Sequence, residues 1–125
     1  MEKPIDEIEI VHWVEDHSEE KYPVEPLREE IEEAIAEGNL ETRGFQKDYG
    51  ALVDEWNREA GGSIEKYLGL RRQYHARRIA YFVVRGWKDP IVLHEDQRRV
   101  KEGMHRLKAA KQKGDKTICI SLDQN

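Results

Sequence analysis

One cysteine stands in the whole chain, Cys119, and no apolar run comes near the ~20 residues that a bilayer-spanning helix requires. A single thiol excludes an internal disulfide framework and suits a reducing compartment. Lying in an alternating run, Cys119 is expected in the core. The first residues, Met1 to Asp6, lack the basic and apolar parts of a secretion signal, so a cytoplasmic location is expected. Proline is scarce, and Pro23, Pro26 and Pro90 fall where elements begin. Repeats, low-complexity tracts and flexible linkers are missing too. The 125 residues are therefore read as one domain, 1–125.

Charge is what the chain has in abundance. Hydrophobic and charged residues each make up 38%, so a modest core sits under a heavily solvated surface. The net charge of −5 hides an asymmetry. Residues 1–60 hold 19 acidic and 6 basic side chains, net −13, whereas residues 61–125 hold 7 and 15, net +8. A basic C-terminal half can meet phosphates. It can equally serve to neutralise the acidic half within the fold.

Period-two alternation of Ile8, Ile10, His12 and Val14 predicts a first strand over 7–14, followed by a polar loop over 16–22. His12 and His17 flank Glu15 and Asp16, but the spacing matches no metal signature and they are read as polar strand and loop residues. Helices are predicted over 23–37, with Gly38 as the stop, over 45–60, and over 63–84 with a break near Gly69. The first has a nearly all-glutamate outer face, which is solvent-exposed or docks a basic partner. Arg71 and His75 interrupt the apolar stripe of the third helix, so they are buried with partners or open to a cleft. Strands follow at 91–94 and 98–102, expected to pair as a hairpin. A helix over 104–113 comes next, packed through Leu107, Ala110 and Met104, and then a last strand over 117–122. The glycines at 103 and 114 bracket that helix, and a glycine turn at a helix start is suited to an anion.

The run Gly103-Met104-His105-Arg106-Leu107-Lys108-Ala109-Ala110-Lys111 resembles the box of the ParB-like/sulfiredoxin superfamily. Upstream, Gly86-Trp87-Lys88-Asp89-Pro90-Ile91 is similar to that family's glycine and Pro-Ile leading into a strand. The resemblance covers residues 79–122. It implies an α+β fold, a small mixed β-sheet of the ParB/sulfiredoxin type, with an enlarged helical block at about 23–70 between the first and second strands. It further implies a phosphate-bearing ligand, nucleotide or nucleic acid, in DNA transactions. A nucleotide with Mg²⁺ is the implied cofactor. Gly103, Met104, His105, Arg106 and Lys108 would bind the ligand, joined by His75 and Arg78 from the third helix, with Trp87 and Tyr81 as the nearest aromatic groups for a base. His105, Asp89 and Glu102 are the catalytic candidates, as proton carrier and carboxylates, for a nuclease or phosphotransferase. A third reading is a phage or mobile-element module that meets another protein through its acidic helices. The helix-turn-helix that follows this core in partition proteins is not expected after residue 122.

Met104 stands where sulfiredoxins carry their cysteine and where ParB proteins carry a glutamate. A thioether has no proton to lose and is a poor ligand for hard Mg²⁺. Catalysis is therefore expected to be weak or absent. Incubated with hyperoxidised peroxiredoxin and ATP, or with CTP and Mg²⁺, the purified protein should stay at background turnover. Robust turnover in either assay would overturn the argument from Met104.

Overall fold

The computed structural model describes residues 1–10, 14–17 and 20–123, with side chains for 1–10 and 24–123. The chain packs as two compact units, one made of residues 1–12 and 82–125 and the other of 13–81. The inserted unit is longer than the stretch 23–70 that the sequence marks as an elaboration. Among the described residues, four α-helices and a four-stranded mixed sheet make the fold α+β.

The first unit is built on its last strand. β1 (Glu2–Pro4), β4 (Ile91–Leu93), β5 (Val100–Glu102) and β6 (Thr117–Leu122) form a sheet in the order β1-β6-β4-β5. β6 is antiparallel to β1 and parallel to β4, and β4 pairs antiparallel with β5. The expected hairpin is thus present, and its turn is held by Asp96. That carboxylate accepts the backbone N–H groups of Arg98 and Arg99 at 2.9 and 3.1 Å, and the Arg99 side chain as well. These bonds hold Asp96 well below the usual carboxylate range. Between β5 and β6 runs α4 (Met104–Lys113), with the bounds its glycines predict. Leu107 and Ala110 are fully buried against Ile91, Leu93, Ile118 and Ile120, and Met104 packs on the same core.

Two expectations fail in this unit. Ile118 and Ile120 point inward, so strict alternation along β6 turns Thr117 and Cys119 outward, and Cys119 is exposed rather than in the core. The first strand is Glu2–Pro4, not 7–14. Ile5–Glu7 makes a 3₁₀ turn that buries Ile5, and Ile8 follows it into the core. Beyond it, Glu9 makes a single parallel bridge to Arg99. The alternation of Ile8 and Ile10 records contact with the core rather than a ladder. A three-residue edge strand ending in Pro4 is too short to show a period. Residues 11–13 lie outside the described residues.

The second unit opens with a hairpin, β2 (Val14–His17) with β3 (Glu20–Pro23), where a loop over 16–22 is expected. The metal candidates His12 and His17 fall outside the described side chains. α1 (Arg28–Glu37) starts five residues later than predicted. Pro23 ends β3 and Leu27 is extended, its N–H donated to the Glu30 carboxylate at 2.8 Å, so the helix starts only at Arg28. α2 (Tyr49–Ala60) likewise starts after Asp48, which closes a turn back onto Gly44. α3 (Ile64–Arg85) runs without a break through Gly69, and its last turn, from Phe82, belongs to the sheet unit.

Gly69 lies in the second turn of α3 with open space where a side chain would be. Gly69→Ala should therefore raise stability by about 0.5–1 kcal/mol, read from the urea midpoint. Leu107→Ala should lower it by about 2–5 kcal/mol. A loss of stability in Gly69→Ala would mean that this face of α3 is occupied.

Candidate functional site

The end of β5 reaches α4 through one residue, and that residue has to be glycine. Gly103 adopts φ +105°, in the left-handed region, and its carbonyl accepts the Leu107 N–H at 2.9 Å. A Cβ placed there would stand 2.6 Å from Ile91 Cγ2 and 2.9 Å from Arg106 Nη2. The turn is therefore pressed against β4, and the first N–H groups of α4 begin directly beyond it. No acidic residue occupies the first turn of α4, so no side-chain carboxylate within it offsets the positive end of the helix.

Arg106 is the side chain that ties this turn together. Its Nη1 donates to the carbonyl oxygens of Asp89 at 2.9 Å and Pro90 at 3.2 Å, the two residues that lead into β4. The cation thus has a structural task that the resemblance does not imply, and it remains half-buried at the turn. Lys108 is also half-buried. His105 is only 8% exposed and lies inside the fold. Asp89 and Glu102 are exposed, and it is the backbone carbonyl of Asp89, not its carboxylate, that meets Arg106. Mg²⁺ prefers several oxygen ligands. Among the described residues no three His, Cys, Asp or Glu side chains are grouped to hold a metal.

At the other end of α4, Lys113 lies over the Trp87 ring at 5.1 Å, and Phe82 meets that ring edge-on at 6.3 Å. Trp87, a candidate for stacking on a base, thus already holds a cation and packs on the sheet core. Positions 87 and 113 are far apart in the chain, and no spacing rule points to their contact. Tyr81, the other aromatic candidate, has the Arg78 guanidinium at 4.9 Å.

His75 and Arg78 are engaged within the helical unit. His75 is 1% exposed, with the Phe45 and Tyr74 rings both 5.4 Å away. Arg78 donates to the Glu41 carbonyl at 3.1 Å. Arg71, one turn before His75, is buried, its guanidinium 5.0 Å from the Phe45 ring, 5.7 Å from Trp56 and 6.0 Å from Tyr49. The interruption of the apolar stripe is therefore a cation set among aromatic faces. Tyr74 closes the cluster by donating its hydroxyl to the Arg43 carbonyl at 2.7 Å.

The charge asymmetry of the sequence does not survive folding. The sheet unit gathers 11 basic and 10 acidic side chains, net +1, because residues 1–12 bring their carboxylates to it. The helical unit holds 10 and 16, net −6. Any attraction for phosphate at α4 is accordingly local. No protein-family model, no curated protein and no solved structure matches this chain.

Two outcomes follow from these contacts. Gly103→Ala combines a collision with Ile91 and left-handed strain, and should cost about 3 kcal/mol or more. Gly114→Ala, with φ +82° and nothing within 4 Å, should cost only about 1–2 kcal/mol. Equal losses in chemical denaturation would refute the contact with Ile91. Tyr74 gives the second. Burial raises its hydroxyl pKa above the unfolded value near 10. The folded state then keeps a proton that the unfolded state has released, so stability falls as pH climbs beyond about 10. Tyr74→Phe should lose about 1 kcal/mol at neutral pH and show a shallower alkaline decline. An unchanged alkaline decline would contradict this role.

Proposed function

We propose that this chain is a ParB-like domain that holds a phosphate-bearing ligand, a nucleotide or nucleic acid, at the β5–α4 turn, with little or no catalysis. The observation that carries the reading is the entry to α4. Gly103, pressed against Ile91, fixes where α4 begins, and the first turn of that helix holds no carboxylate to offset its positive end. Arg106 and Lys108 add positive charge one turn in. His105 is buried, and Met104 packs on the core. The order of strand, inserted block, hairpin, helix and strand is the one the resemblance implies, apart from the β2–β3 hairpin that opens the block.

The expected affinity is low. Helix-end interactions contribute about 0.3–1 kcal/mol, and a charge-assisted contact contributes roughly 1.5–3 kcal/mol. The sum is about 2–4 kcal/mol, a dissociation constant of millimolar or weaker. The test is a titration of inorganic phosphate, ATP and CTP, with and without Mg²⁺, followed by amide NMR shifts. The largest shifts are expected at 103–106. Lys108→Ala should weaken binding several-fold, and Lys113→Ala, at the far end of α4, should leave it unchanged. Arg106→Ala is a poor probe, because it also removes the bonds to Asp89 and Pro90. Largest shifts elsewhere, or equal effects of the two lysine variants, would refute the placement.

A further inference from the structure

We draw no further inference here: the strongest candidate, the half-apolar groove of about 440 Å³ at the corner between α2 and α3, lined by Ala60, Ile64, Tyr67 and Leu68, carries nothing because nothing in the structure shows what covers it.

Discussion

The sheet unit depends on one close approach, that of the Gly103 backbone to the Ile91 side chain. The gap leaves no room for a Cβ, so the end of β5, the start of α4 and the face of β4 share one position. Ile91 is also paired with Ile120 across the parallel β4–β6 ladder. The contact therefore sets the height at which α4 crosses the sheet, and with it which residues of α4 go inward. Leu107 and Ala110 meet the core because Met104 starts the helix where it does. Arg106 completes the arrangement by bonding the two carbonyls that precede Ile91. Strand, turn and helix are held together by sterics on one side and by a charge-assisted bond on the other.

Much of this unit could be read from the residues, and the reason is local. α4 is bracketed by glycines, β6 alternates cleanly, and a short polar turn separates β4 from β5. Each signal lies within a few residues of the element it defines. What could not be read depends on distant partners. Pro4 and its two predecessors form a strand only because β6 offers an edge. The outward turn of Cys119 follows from which face α4 covers, and the isoleucines on either side of it are the only hint. The task of Arg106 was hidden because carbonyl acceptors carry no sequence signature. The β2–β3 hairpin was missed because its strands are four residues each and highly polar.

The helical unit shows a different economy. Its core mixes Leu52, Trp56 and Tyr74 with a buried arginine and a buried histidine. Aromatic faces accept the guanidinium where a purely aliphatic core would leave it uncompensated. Phe45, Tyr49, Trp56, Tyr67 and Tyr74, half of the chain's ten aromatic residues, gather in this unit. The acidic surface of α1 and the cation inside are separate features. Arg72, not Arg71, pairs with Glu30 at 3.2 Å.

The place of β1 in the sheet has a consequence for synthesis on the ribosome. Its hydrogen-bonding partner is β6, with Glu2 opposite Cys119 and Pro4 opposite Thr117. More than a hundred residues must be translated before that partner exists, a delay on the order of ten seconds at ordinary elongation rates. Throughout that interval the N-terminal strand has no ladder to join. The helical unit, whose contacts are all encoded earlier, can assemble while it waits. The order of emergence thus favours a nascent chain in which the inserted piece is folded first and its host is closed later, once β6 has left the exit tunnel.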